Sequence, residues 1–397
     1  MTVPCKMKNK RHPLIALRTY LLFLLILSTS LFSFATAQQL KSDSLYSVWQ
    51  DQNQSDSIRA KSLASFIKRE YLFTNPDSAR SLAEELLGFG QDRGYPLAEA
   101  MSYDMIAISW FLVGDYQVSL DYFKRSLALF RALGDKRNAA NTLGNIGNIY
   151  SAQGLYSKAL DNYLGNLKIF ESLDDKNSTA VSLGNIGVLY ETLQEFDKAL
   201  EYYERSYTMG KLVGKKRIVA NNLGNMGNSY LERGEFEKAL DKYQESLTLN
   251  KEADNLPGVI NTLGNVSTVY TKQGEYEKAL SYLKEGVEAS QALGDKRGLA
   301  QADIKIGTIY QLQNNHQRAI KYCLEAYRLA NEIGILLQQK KACQCLYTSY
   351  KQTRQTEEAL EYFEKLKSIE DSLNEEETSK KLQQMEFKKA LLTDSIA

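Results

Sequence analysis

Histidine is almost missing from this 397-residue chain, which carries two. One of them, His12, lies in the N-terminal leader described below, so His316 alone remains for the body of the protein. A His-centred triad, a histidine-rich metal site or a phosphoacceptor histidine would each rest on that one imidazole, and none is expected. Long apolar runs are equally scarce. Past residue 37 no segment reaches the ~18 uncharged apolar residues that a membrane-spanning helix needs. No excess of positive charge marks a nucleic-acid footprint either. Removing residues 1–37 takes away five Lys/Arg and no Asp/Glu, leaving 44 basic against 48 acidic residues and a net charge of −4. Cysteine numbers four, and Cys5 belongs to the leader; its position ahead of any apolar run argues against a lipid-anchor site.

The leader itself is legible. Lys6, Lys8, Lys10, Arg11 and Arg18 precede the apolar run YLLFLLILSTSLFSF at 20–34, and ATA follows at 35–37. A basic n-region, an apolar h-region and a small-x-small site are the marks of a secretory signal peptide, with cleavage expected after Ala37. The alternative is an uncleaved membrane anchor, for which the apolar core is short.

The body is a repeat. NTLGNIGNIY at 141–150 returns as VSLGNIGVLY at 181–190, NNLGNMGNSY at 221–230 and NTLGNVSTVY at 261–270. The 40-residue offset carries Trp110, Tyr150, Tyr190, Tyr230, Tyr270, Tyr310 and Tyr350 in one register, and Ala159, Ala199, Ala239, Ala279, Ala319 and Ala359 in a second. In one unit Leu143, Ile146 and Tyr150 recur at helical spacing, and so do Ala159, Tyr163 and Leu167 beyond Gly154. Gly134 suits the left-handed end of one helix and Asp135 the N-cap of the next; Pro257 stands where a helix start tolerates proline. About eight antiparallel helix pairs are therefore expected over 57–372, each burying its core against its neighbours. An N-terminal capping segment precedes them at 38–56, and a charged tail follows at 373–397.

Gly147, Tyr150, Gly154, Tyr156, Ala159 and Tyr163 together resemble the tetratricopeptide repeat. The 40-residue unit, longer than the usual 34, and its recurrent Gly-Asn resemble the Leu-Gly-Asn-rich subclass. The resemblance is strongest over 137–290. It loosens at both ends; Asp303 takes a leucine position and Tyr347 a small-residue position. It implies an all-α, right-handed superhelical solenoid.

Glycines inside helices cost roughly 0.5–1 kcal/mol each relative to alanine. The reading for Gly147, Gly187, Gly227 and Gly307 is close helix approach. A phosphate-binding loop would need a preceding strand, and the pattern offers none. The asparagines fall on the other side of the helix. Asn141, Asn145 and Asn148 are followed by Asn185, then Asn221, Asn225 and Asn228, then Asn261 and Asn265. An amide offers two donors and an acceptor, so such a row can bond both N–H and C=O of an extended chain. The tetratricopeptide resemblance places this face on the concave side that holds peptides. The competing reading is an Asn–Asn lattice between neighbouring helices with no ligand.

The remaining features read as structural. Most of the 25 tyrosines occupy core positions. Cys343 and Cys345 lack the usual ligand spacing for a metal, and buried free thiols are expected at Cys323, Cys343 and Cys345; a disulfide from Cys323 to Cys343 or Cys345 is the alternative. Glu201, Glu204, Glu235 and Glu237 are interspersed with lysines as solvated ion pairs. No convergent acid/base pair, nucleophile motif, metal site or cofactor site emerges. In the tail, Leu382, Met385 and Leu392 hold a near-heptad spacing that offers a homodimer contact.

The function expected is a non-enzymatic scaffold or adaptor, exported to a bacterial periplasm or beyond, binding a protein or peptide and no nucleic acid. The mature chain is not expected to enter a membrane unless the gene continues past Ala397. The alternative is the extracytoplasmic portion of a transmembrane signalling protein of histidine-kinase or nucleotide-cyclase type. That reading rests on the tail's resemblance to the connector of bacteroidete tetratricopeptide sensors.

Overall fold

The computed structural model describes residues 44–373 and Gln384. Among them every regular element is a helix. A short α1 (44–50) precedes eight antiparallel pairs in chain order: α2 (Asp56–Glu70) with α3 (Pro76–Asp92), and α4 (Pro96–Leu112) with α5 (Tyr116–Ala132). Next come α6 (Lys136–Ala152) with α7 (Tyr156–Ser172), α8 (Lys176–Thr192) with α9 (Phe196–Leu212), and α10 (Lys216–Glu232) with α11 (Phe236–Glu252). The last are α12 (Leu256–Lys272) with α13 (Tyr276–Leu293), α14 (Lys296–Leu312) with α15 (His316–Glu332), and α16 (Leu336–Gln352) with α17 (356–373). The chain divides between Asp135 and Lys136 into two compact units, α1–α5 and α6–α17.

The 40-residue period is a doubled 20. Helices such as α6, α7, α8 and α10 each span 17 residues and are separated by three. From Gly94 onward one linker residue after each helix sits at positive φ, as at Gly234 (φ 75°) and at Gln194 (φ 61°). The following N–H then closes back on the helix: Glu235 N–H donates to the Tyr230 carbonyl at 2.9 Å, which satisfies an otherwise orphaned acceptor. The next helix is capped where the sequence allows. Asp175 accepts from Ser178 N–H and Asp295 from Gly298 N–H. Pro76, Pro96 and Pro257 all lie in the first turns of their helices, where no N–H is missed.

In the α1–α5 unit, α1 is fastened by Trp49. Its Nε1–H donates to Glu85 Oε1 at 3.1 Å, and its carbonyl accepts from Arg59 Nε–H at 2.9 Å. Leu63, Ile67, Leu86, Met105 and Ile106 fill the core beneath it.

In the α6–α17 unit, Ala159, Ala199, Ala239, Ala279 and Ala319 are wholly buried where the two helices of a pair cross. The glycine reading of the sequence holds at atomic scale. A Cβ on Gly147, Gly187 or Gly227 would meet the Tyr163, Tyr203 or Tyr243 ring at 2.6, 2.5 and 2.6 Å. Two of these rings are anchored by their hydroxyls, Tyr163 to Asn148 Oδ1 and Tyr243 to Asn228 Oδ1, both at 2.7 Å. Tyr203 donates to Glu191 Oε2.

A buried polar ladder runs between helices at the same period. Asn166, Ser206 and Ser246 on the second helices donate to the carbonyls of Ala140, Ala180 and Ala220 at 2.6–2.8 Å. Each also meets the following first helix: Ser182 with Asn166, Asn222 with Ser206, and Thr262 with Ser246. Satisfied buried bonds of this kind fix the rotation of each helix against its neighbours.

The cysteines correct the expectation of three free thiols. Cys323 of α15 and Cys345 of α16 form a disulfide with Cα atoms 6.2 Å apart. Gly307 of α14 leaves the space it occupies, since a Cβ there would collide with Cys323 Sγ. Position 345 faces α15 as position 343 does not, and helical spacing alone leaves that choice open. Cys343 stays buried and free, its thiol pushed up to about 11 by burial.

Candidate functional site

The first helices α8, α10, α12, α14 and α16 lie against one another in order, so their outward residues make one continuous face. Open clefts run between successive helices. Between α8 and α10 a cleft of 630 Å³ is lined by Glu191, Thr192, Asn225, Asn228 and Glu232. Between α10 and α12 one of 420 Å³ gathers Asn221, Asn225, Asn228, Asn261 and Asn265. A narrow gap of 60 Å³ between α12 and α14 joins Asn261 and Asn265 to Gln301 and Lys305. The last, 440 Å³ between α14 and α16, contains Arg297, Gln301, Lys305, Gln338 and Lys341.

The nine candidate asparagines fall into two groups. Asn148 accepts from the Tyr163 hydroxyl. Asn228 accepts from the Tyr243 hydroxyl and, at 2.9 Å, from Asn265 Nδ2. At Asn228–Asn265 the lattice arrangement is therefore present, one amide bridging α10 and α12. The other six, Asn141, Asn145, Asn185, Asn221, Asn225 and Asn261, have no side-chain hydrogen-bond partner among the described residues. They are exposed or half-buried on their first helices. Helical spacing could not separate the two groups, because position 148 or 228 differs from its neighbours only in reaching a tyrosine hydroxyl on the next helix.

Both ends of the face carry charges that the asparagine pattern does not announce. Burial, and after it the charge of Glu232, holds the Glu191 carboxyl above the usual carboxylate range, against the bond donated by Tyr203. At the other end Lys305 Nζ donates to the Gly264 carbonyl at 2.7 Å and to Thr268 Oγ1 at 2.6 Å. Burial first, then the charge of Lys341, brings its ammonium down to about 8. The signal for these residues was in the register itself. Forty residues on, Asn261 becomes Gln301 and then Lys341, and Asn265 becomes Lys305.

Asp303, in the register of Leu143, Leu183, Leu223 and Leu263, is half-buried. Burial and the charge of Glu325 raise its carboxyl to about 7. Gln384 donates its Nε2 to the Thr192 carbonyl at 3.0 Å, at the rim of the α8/α10 cleft. The proposed dimer contact of the tail otherwise lies outside the described residues, as does the leader. Among the described residues no helix is long and apolar enough to cross a membrane, and no group of three His, Cys, Asp or Glu side chains could hold a metal ion.

Helix pairs of this geometry, repeating every 40 residues with small-residue and tyrosine registers, define the tetratricopeptide class. Tetratricopeptide-repeat profiles match residues 98–164, 139–211 and 218–292, and a second such profile matches 302–333. The chain belongs to the tetratricopeptide-repeat family.

Solved structures share its fold at low identity. A Rap protein complexed with competence and sporulation factor is 15% identical with a TM-score of 0.61, the match covering 87% of this chain and 95% of that one. Aspartyl phosphate phosphatase F from Bacillus subtilis is 15% identical with a TM-score of 0.60, covering 85% and 90%. The Rap conjugation gene regulator of plasmid pLS20, in complex with the Phr* peptide, is 15% identical with a TM-score of 0.53, covering 79% and 96%. No curated protein matches the sequence.

Proposed function

We propose that this chain is an exported, non-enzymatic scaffold that holds an extended peptide, or an extended segment of a partner protein, along its first-helix face. The observation that carries the reading is the row of asparagine amides with no side-chain partner among the described residues, set beside open clefts. A solvated face would more cheaply use Glu, Lys or Gln, which are better helix formers. An amide that spends nothing on its own fold is free to bond a ligand backbone, and in doing so tolerates many side chains. Two solved structures of the same fold contain a bound factor or peptide, which favours this use. The leader favours export, with Gln38 as the mature N-terminus.

The test is retention of a random-sequence peptide library on the immobilised chain. Asn221→Ala with Asn225→Ala removes two unpartnered amides and should weaken retention about tenfold or more, at roughly 1 kcal/mol per hydrogen-bonding group. Stability should not fall, and helix propensity favours a gain of up to about 1 kcal/mol. Asn228→Ala should do the reverse, since it breaks bonds to Tyr243 and Asn265. If the double variant bound peptides as well as the parent chain, the groove reading would be wrong.

A further inference from the structure

The second helices carry a cleft that the peptide face does not use. It lies between α9 and α11, has α10 as its floor, and measures 580 Å³. Tyr207 and Gly210 of α9, Val219 and Leu223 of α10, and Thr248 and Leu249 of α11 line it. Val219 and Leu223 are buried and stand about 200° around the helix from Asn221 and Asn225. The two surfaces are therefore separate.

The repeat register shows why this cleft is open. Phe170 and Phe130 hold the Gly210 position one and two repeats earlier, and both rings are buried. At Gly210 no side chain enters. Ile218, in the register of Ser178, fills part of the space, since a Cβ on Gly210 would meet its Cγ2 at 3.0 Å. Tyr207 replaces the leucine of Leu167 and Leu247 and gives the cleft an aromatic wall. An apolar recess of this volume with a few polar groups at its mouth has the make-up of a small-molecule site.

The mouth has one positive charge to spare. Lys216 pairs with Glu252 at 3.0 Å, and Glu245 with Lys242 at 3.0 Å. Lys211 has no carboxylate partner among the described residues. Its Nζ donates to the Tyr207 hydroxyl at 3.3 Å and lies 5.1 Å from the centre of that ring. A ring-sized apolar recess beside an ammonium without a counter-ion is complementary to an aromatic body carrying an acid group. We infer that the cleft binds a small aryl carboxylate, its ring against Val219, Leu223 and Leu249 beside Tyr207, and its carboxylate on Lys211. The site stands whether or not a peptide occupies the first-helix face.

Saturation-transfer NMR on the full chain tests this with three probes. 2-Naphthoate should bind with a Kd of about 1 mM or tighter, as its size allows. Octanoate has the acid without the ring, and 2-naphthamide the ring without the charge. Each should bind about fivefold more weakly. Lys211→Glu should weaken 2-naphthoate about tenfold and leave 2-naphthamide unchanged. Gly210→Phe with Ile218→Ser transplants the pair found at Phe170 and Ser178. It plugs the cleft and should abolish binding of all three probes while circular dichroism shows the parent helix content.

Octanoate binding as tightly as 2-naphthoate would overturn the aryl assignment in favour of an acyl chain. Equal binding of 2-naphthamide, or 2-naphthoate affinity unmoved by Lys211→Glu, would remove the carboxylate from the proposal and so refute it. Binding that survives in the plugged chain would place the ligand elsewhere, and no binding by any probe would end the proposal outright. If the plugged chain fails to fold, the Lys211→Glu comparison still decides, because that residue is exposed.

Discussion

Two glycines of the same helix should respond to alanine with opposite signs. Gly224 and Gly227 are one turn apart on α10, and intrinsic propensity rewards either substitution by about 0.5–1 kcal/mol. At Gly224 a Cβ would find Ser246 Oγ at 3.6 Å, an ordinary contact, so the gain should be kept. At Gly227 it would meet Tyr243 Cε1 at 2.6 Å, about 1 Å inside the optimum for carbon pairs. The ring cannot easily withdraw: Tyr243 is fully buried, and its hydroxyl is fixed to Asn228 at 2.7 Å. Overpacking of this kind costs about 1–3 kcal/mol, and loosening the hydroxyl bond about 1 more. Net of propensity, Gly227→Ala should destabilise by about 1–3 kcal/mol.

The protein contains its own controls. Where Ser267 stands in the Gly227 register, the facing position is Leu283 and no tyrosine ring intrudes. In the α1–α5 unit the same register holds Ala107 and Phe123, both buried, and phenylalanine has no hydroxyl to hold its ring in place. Gly227→Ala combined with Tyr243→Leu should therefore recover much of the loss, a coupling of about 1–2 kcal/mol. Urea denaturation followed by circular dichroism measures the parent chain, Gly224→Ala, Gly227→Ala, Tyr243→Leu and the double variant, with hydrogen exchange in α10 and α11 reporting the local effect. Stabilisation by Gly227→Ala equal to that of Gly224→Ala would refute the close-packing argument.

Three further outcomes follow from the same structure. Asp303→Leu brings in the residue held at Leu143, Leu183, Leu223 and Leu263 and should stabilise at pH 7 by about 1–3 kcal/mol. Because the folded-state pKa of Asp303 is raised to about 7 from 3.8, the native chain holds a proton there that the unfolded chain has lost. Its contribution to stability should fall as pH rises from about 4 to 7, and a pH series of denaturation midpoints on D303L should lack that component. Reducing the Cys323–Cys345 bridge, which spans 22 residues, should cost about 3 kcal/mol by chain entropy, seen as faster hydrogen exchange in α15 and α16; unchanged exchange would count against it. Gln194 holds φ 61° without the freedom of glycine, so Gln194→Gly should raise stability by about 1 kcal/mol, and a lowered denaturation midpoint would contradict this.

The sequence alone determined the architecture, because one unit repeated at a fixed offset states its own hydrophobic periodicity many times over. Tyr150, Tyr190 and Tyr230 or Ala159, Ala199 and Ala239 each confirm the others, and a helix pair is the one arrangement that satisfies both registers. The glycines were legible for the same reason: a costly residue recurring at one place implies contact with another helix. What each side chain touches was not legible. Asn145 and Asn148 have the same chemistry and neighbouring positions, yet only Asn148 meets a tyrosine hydroxyl, from a helix whose rotation the sequence does not state. Cys345 rather than Cys343 bonds Cys323 for a like reason, since both lie within reach of α15 and only one points at it. The buried ladder through Asn166, Ser206 and Ser246 looks in sequence like ordinary polar surface. The cationic cleft is a fourth case, assembled from Arg297, Lys305 and Lys341 on two helices that are neighbours in space but separated in the chain by a third. Periodicity fixes which face of a helix is buried, and only packing fixes which atom lies opposite.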